Sequence, residues 1–182
     1  MCIRDRDNML TTIQVRMEDS TPLKKWLYDV FMNSALAAER RKLEGKQPGL
    51  KERLMRQLGE WLVFGPIKDQ LGLTRLRSAF TGGEAIGEDT FVFYRALGVK
   101  LRQFYGQTES SAFNALQDAE EVRLHTVGRP LPGVEVKISD NGEIMVRSGS
   151  VFSGYYKLEK ASQEALAAVS YTHLTLPTKR IV

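Results

Sequence analysis

Cysteine is almost missing from this chain of 182 residues: Cys2 is the single example, and histidine occurs twice, at His125 and His173. One thiol forms no internal disulfide and no thiolate metal cluster, and such cysteine usage fits a reducing compartment, so a cytoplasmic location is expected. Two imidazoles cannot build a His-rich zinc site. Long apolar runs are also lacking. None approaches the roughly 20 residues that span a bilayer, and no segment reads as a signal peptide. Strong charge of one sign is absent too. The net charge is +4, and Arg4, Arg6, Lys179 and Arg180 against Asp5 supply +3 of it. The stretch between those ends is close to neutral, so the basic balance says nothing about nucleic acid, and no nucleic-acid partner is expected.

The two ends share an irregularity. Met1-Cys2-Ile3-Arg4-Asp5 can be written ATG TGT ATA AGA GAC. The reverse complement encodes Val-Ser-Tyr-Thr-His, which is Val169 to His173 in frame. Inverted copies of one DNA segment look like the ends of a sequencing-library adapter, with Leu174 to Val182 as more of the second copy. The expected organisation is therefore adapter-like sequence at 1–6 and at 169–182, around an internal piece of a longer gene. That piece changes character after Glu121, giving an expected division into 7–121 and 122–168.

The first part reads as α/β. Ser20-Thr21-Pro22 offers a capping hydroxyl and a first-turn proline, and Trp26, Leu27, Val30, Phe31, Ser34, Ala35 and Ala38 follow at helical spacing. Arg40-Arg41-Lys42 suits the C-terminal end of that helix. A second helix is expected from about Leu50 through Leu54, Leu58, Trp61, Leu62 and Phe64, with Pro66 ending or kinking it. Its apolar stripe is expected to pack inward beneath a solvated basic face. Leu76 to Phe80 is a strand candidate, Glu88 to Leu97 a helix stopped by Gly98, and Val99 to Tyr105 a second strand. Strand, helix and strand make a βαβ unit, for which parallel pairing is expected. The second part is turn-rich. Val134 to Ile138 and Glu143 to Arg147 alternate as strands around the hairpin signal Asp140-Asn141-Gly142.

Two glycine-bearing turns then fall at the carboxyl ends of the βαβ strands, where open α/β sheets bind ligands. The first is Gly82-Gly83-Glu84-Ala85. The second is Tyr105-Gly106-Gln107-Thr108-Glu109. Tyr105 offers a flat ring for a base, and Gly106 permits close backbone approach. Thr108 offers a hydroxyl for a phosphate oxygen, and Glu109 a hard oxygen ligand for Mg²⁺. Taken singly, each has a plainer reading: a Gly-Gly turn is most often only a turn, Tyr105 a core aromatic, Glu109 an acid at a helix start. Arg147 reads as a structural ion-pair partner and His125 as a surface or packing residue.

Together the two turns resemble the AMP-forming adenylate synthetases, the superfamily of acyl-CoA synthetases, luciferases and peptide-synthetase adenylation domains, through its Tyr-Gly-x-Thr-Glu motif. Gly128-Arg129-Pro130 to Val136, Gly142 to Ser148 and Tyr155-Tyr156-Lys157 resemble its next blocks. The resemblance implies a fragment of the large N-terminal domain: part of a mostly parallel sheet followed by part of a small β-barrel. It implies ATP or AMP and Mg²⁺ as cofactors, with CoA as cosubstrate. It implies that Gly82, Gly83, Glu84, Ala85, Phe104, Tyr105, Gly106, Gln107 and Thr108 bind nucleotide, with adenine between the first turn and Tyr105. Thr108 and Glu109 take the catalytic roles, at the α-phosphate and the magnesium respectively. The Ser/Thr/Gly-rich phosphate loop, the ribose-binding Thr-Gly-Asp and the small domain with its catalytic lysine would lie outside the chain.

Within the superfamily, Gln107 and the two helices look like long-chain members, so the implied parent joins a fatty acid to CoA. Gly106 is expected to leave a wall of the acyl pocket open. Another adenylating enzyme, a non-catalytic membrane-surface module with possible peripheral membrane contact, and a naturally truncated regulator remain as alternatives.

Overall fold

The computed structural model describes residues 3–83, 86–140, 142–166 and 172–174. The chain divides into two compact units, Met1–Leu101 and Arg102–Val182. The division falls ahead of the change in character at Glu121.

The first unit is mostly helical. α1 spans Ile3–Glu18, α2 Pro22–Leu43 and α3 Leu50–Gly59. Ser20 does not cap α2. Its hydroxyl donates back to the Met17 carbonyl at 2.7 Å, finishing α1 instead. Thr21 caps α2 through extended backbone alone, and Pro22 sits in the first turn, where its missing N–H costs nothing.

α3 does not simply stop at Pro66. It passes into a π-helical segment, Glu60–Phe64, and then into α4, Gly65–Gln70. Gly65 N–H reaches back to the Glu60 carbonyl, the five-residue bond of a π turn. A Cβ on Gly65 would lie 2.7 Å from that oxygen, so glycine is required. The widened turn precedes Pro66, which has no N–H to give to a regular ladder.

The expectation of an inward apolar stripe along α3 and the π-helical segment holds at Phe64, which is 1% exposed, and is overturned for the rest. Leu50, Leu54, Leu58, Trp61 and Leu62 all face solvent, Leu50 and Trp61 at 86% exposure. Ion pairs and close packing set the rotation of this helix. Glu39 of α2 is 2% exposed and takes Arg95 Nε at 2.6 Å and Arg56 of α3 at 3.3 Å. Arg41 pairs with Glu52. Gly59 approaches so closely that a Cβ would meet Phe64 at 2.9 Å and Phe31 at 3.1 Å. Arg56 and Gly59 thus take the side of α3 that faces α2, and the leucines lie on the other side.

α5, Glu88–Ala96, packs on α2 and contributes Phe91, Val92, Phe93 and Tyr94 to the core beside Phe31, Met32 and Ala35. Gly98 stops it as expected. It stands at φ 99°, its N–H donates to Arg95, and Val99 N–H donates to Tyr94. That is the paired-bond helix ending that favours a left-handed residue. β1, Ala79–Thr81, precedes α5, and Ala79 N–H donates to the Lys100 carbonyl.

β2, Leu101–Tyr105, has all but its first residue in the second unit; it pairs antiparallel with β3, Ala115–Leu116, which pairs antiparallel with β4, Arg129–Pro130. β5, Glu135–Ile138, forms a hairpin with β6, Ile144–Arg147, and β6 also pairs with β7, Thr172–Leu174. α6 spans Glu159–Leu166. Arg147 does pair structurally, with Glu135 directly across the hairpin at 3.8 Å. The α/β class holds, and the pairing is mixed: β3 and β4 each run back along the strand before them in antiparallel register. Among the described residues β5, β6 and β7 form an antiparallel sheet, with no closed barrel.

Candidate functional site

The site grows from the end of β2. Side chains alternate along a strand, so Phe104 and Tyr105 point to opposite faces. Phe104 is committed to packing: its ring lies 4.8 Å from that of Phe113. Tyr105 is half-buried, and its hydroxyl is buried with no hydrogen-bond partner among the described residues. Burial, and secondarily the charge of Glu109, pushes the Tyr105 phenol up, so it stays neutral near neutral pH.

After Tyr105 the chain folds back on itself. Gln107 is extended and buried, and Thr108–Ser110 makes one 3-10 turn. Ala112 N–H donates to the Gln107 carbonyl at 2.9 Å, and Asn114 N–H to the Tyr105 carbonyl at 2.8 Å. Ser111 and Ala112 hold φ of 56° and 77°. Two successive non-glycine residues in the left-handed region store strain, which surrounding bonds must hold in place. Gly106 does not front an open space. A Cβ there would lie 1.3 Å from the Ala112 carbonyl oxygen. The expectation of an open pocket wall at Gly106 is therefore corrected: the folded loop itself takes the room.

A second segment locks this turn. Phe152 N–H donates to the Glu109 carbonyl at 2.7 Å. The Ser150 hydroxyl donates to the Ser110 carbonyl at 3.1 Å, and the Ser111 hydroxyl to the Ser150 carbonyl at 3.0 Å. The Tyr155 hydroxyl donates to Glu109 Oε1 at 2.7 Å. That bond is the main cause holding the Tyr155 phenol above its ordinary value. Thr108 is exposed at the start of the turn.

The structure thus brings Tyr105, Gly106, Gln107, Thr108 and Glu109 into one closed loop, with Tyr105 and Glu109 in electrostatic contact. Gly82 and Gly83 follow β1 in the first unit, Gly83 at φ 86°. Glu84 and Ala85 lie outside the described residues. Sequence reasoning missed Ser150, Phe152 and Tyr155 as partners of the turn. The Gly-Tyr-Tyr-Lys run at 154–157 was the one signal, and it gave no hint of contact with Glu109.

No three Asp, Glu, His or Cys side chains gather as a metal cluster among the described residues. The donor set suits magnesium held jointly with a nucleotide, since Mg²⁺ usually takes one or two carboxylates and leaves the rest of its shell to phosphates and water. Glu109 supplies one such carboxylate.

Residues 26–156 match the family model described as AMP-binding enzyme. The long-chain-fatty-acid–CoA ligase FadD15 of Mycobacterium bovis is 37% identical over 118 residues, which are 65% of this chain and 20% of that protein. The peroxisomal long chain acyl-CoA synthetase 7 of Arabidopsis thaliana is 31% identical over 173 residues, covering 86% of this chain and 23% of its own length. The chain therefore spans about a fifth of the curated relatives it matches. Among solved structures, the anthranilate CoA ligase AuaEII aligns with a TM-score of 0.51 at 20% identity, over 56% of this chain and 22% of that one, a likeness of fold. With its family model matched across most of its length and the motif loop closed around Tyr105 and Glu109, the chain belongs to the AMP-binding enzymes.

Proposed function

We propose that this chain is the nucleotide-handling part of an ATP-dependent long-chain fatty acid–CoA ligase. Such a ligase joins a carboxylate to ATP, giving acyl-AMP and pyrophosphate, and then passes the acyl group to the CoA thiol. The observation that carries the reading is the loop from Tyr105 to Ala112, which holds an aromatic face and a carboxylate together on a strained backbone. The names of the matched relatives supply the fatty acid.

Each residue then has a physical task. Tyr105 offers a neutral ring against adenine. Thr108 presents a hydroxyl to the α-phosphate, and Gln107 lies beside nucleotide and acyl group. Bound magnesium supplies charge neutralisation at the phosphates, and Glu109 would hold it. Catalysis of this kind rests on positioning and charge rather than on a covalent enzyme intermediate.

The test is ATP–pyrophosphate exchange by the full-length protein carrying this segment, with straight-chain acids, aryl acids and amino acids offered separately. Long-chain acids should support exchange, and Glu109→Gln should lower it about tenfold, the effect of ~1.4 kcal/mol. Exchange that depends on amino acids or aryl acids instead would replace the proposed substrate class.

The outward face of α3 supports a peripheral, cytoplasmic-side membrane contact as part of the same reading. Leu50, Leu54 and Leu58 are exposed there, followed by Trp61 and Leu62 of the π-helical segment, with Lys51 and Arg53 exposed among them. Anionic vesicles should sediment the protein, and Trp61→Ser with Leu54→Ser should release it. Equal sedimentation of both proteins would end this part of the reading.

A further inference from the structure

Glu109 carries the functional reading, and its carboxylate has one hydrogen-bond partner among the described residues. The Tyr155 hydroxyl donates to Oε1 at 2.7 Å, from 46 positions away in the chain. No described residue hydrogen-bonds Oε2.

Both ends of this bond are held by further contacts. Phe152 N–H holds the Glu109 backbone at 2.7 Å. Tyr155 stands edge-on to Phe152, with ring centroids 4.8 Å apart at 70°. Its own N–H donates to Ser162 Oγ at 2.8 Å, and that hydroxyl donates to the Leu158 carbonyl at 2.8 Å. Gly154 makes the approach possible. It stands at φ 143°, and a Cβ there would lie 2.9 Å from Ser162 Oγ. Phe152, Gly154 and Leu158 from the stretch before α6, with Ser162 from α6 itself, thus converge to place one phenolic hydroxyl.

The chemistry of the donor is selective. An Arg or Lys on Glu109 would cancel the charge a cation needs. A phenol fixes the carboxylate and leaves its negative charge in place. Fixing also removes torsional freedom before a ligand arrives, so less is lost on binding.

We propose that Tyr155 is a positioning residue, whose hydroxyl occupies Oε1 of Glu109 and so presents Oε2 to the cation that accompanies the nucleotide phosphates. The proposal rests on the reading of Glu109 as a ligand of that cation.

The experiment uses the full-length protein with a saturating non-hydrolysable ATP analogue, and titrates Mn²⁺ by electron paramagnetic resonance. Wild type, Tyr155→Phe, Glu109→Gln and the double variant are compared. Tyr155→Phe keeps the ring on Phe152 and should keep Tm, while Mn²⁺ binds about tenfold more weakly, equivalent to ~1.4 kcal/mol. The double variant should bind no worse than Glu109→Gln alone, because the hydroxyl acts only through that carboxylate. In turnover, kcat for adenylation should fall with KM for the fatty acid unchanged.

Unchanged Mn²⁺ affinity in Tyr155→Phe, with a loss in Glu109→Gln, overturns the positioning role and leaves the nucleotide reading standing. Additive losses in the double variant overturn it as well. No loss in Glu109→Gln removes the reading beneath it. Should Tyr155→Phe lower Tm, Ser162→Ala decides, since it loosens the Tyr155 backbone and leaves the phenol intact. Weaker Mn²⁺ binding there supports the proposal, and unchanged binding overturns it.

Discussion

Replacing Gly106 separates two accounts of the motif. If this glycine fronted an acyl pocket, Gly106→Ala would be harmless. It is not among the glycines with positive φ, and Gly→Ala at an unstrained position usually stabilises by about 0.4–1 kcal/mol. The structure requires the opposite. The new Cβ would lie 1.3 Å from the Ala112 carbonyl oxygen, where contacts under 3.0 Å are essentially never seen, so the loop must move by about 1.7 Å. It cannot do so freely. Ala112 N–H is tied to Gln107, and Asn114 N–H to Tyr105. Losing both bonds costs roughly 1–3 kcal/mol, and forced repacking adds about 1–3 kcal/mol. Urea denaturation should therefore show a loss of about 2–6 kcal/mol. ATP–pyrophosphate exchange should fall for acids of every chain length alike, since the nucleotide loop is displaced. A variant as stable as wild type, or one that changes only chain-length preference, would refute this reasoning and restore the pocket wall.

Other consequences follow from the same contacts. Glu39→Ala strands the Arg95 guanidinium, and urea denaturation should show about 3–5 kcal/mol lost; a loss below ~1 kcal/mol would mean that the Leu101 carbonyl, 2.8 Å from Arg95, satisfies it alone. The Tyr28 phenol is pushed up to about 12 by burial and by Asp29. Its folded value exceeds the ordinary 10.0, so its contribution is complete below pH 10 and fades as pH rises through 12. Melts from pH 9 to 12 should show a steeper alkaline loss in wild type than in Tyr28→Phe, and coincident curves would clear Tyr28 of any part in it.

What could be read in advance was local. Gly98 as a helix stop and the hairpin after Ile138 rest on neighbours within one or two turns, and both stand in the structure; the α2 stripe stands only in its second half, with Phe31, Ala35 and Ala38 buried while Trp26 and Val30 face solvent. The motif from Tyr105 to Glu109 is likewise contiguous. The rotation of α3 was not legible. Its leucines have the spacing of a buried face, but the pull of Glu39 on Arg56 depends on which residue of α2 lies opposite, and periodicity does not carry that. Gly106 misled for a related reason. A glycine signals room, and only the folded loop shows that the backbone of Ala112 fills it. Tyr155 escaped notice because nothing in its own surroundings points 46 residues upstream.

The stitches between the motif turn and the loop at 148–155 bear on when the site comes into being. They join residues 39, 40 and 46 positions apart, so each requires a long loop to close before it returns any free energy. Helix turns and hairpins form earlier, on local contacts. During synthesis the Tyr-Gly-Gln-Thr-Glu segment would emerge well before the residues that brace its strained backbone. Until Phe152 and Tyr155 arrive, Ser111 and Ala112 have little reason to stay left-handed. The shape of the motif turn is then a late event in the life of the chain, reached when the last of these distant partners closes.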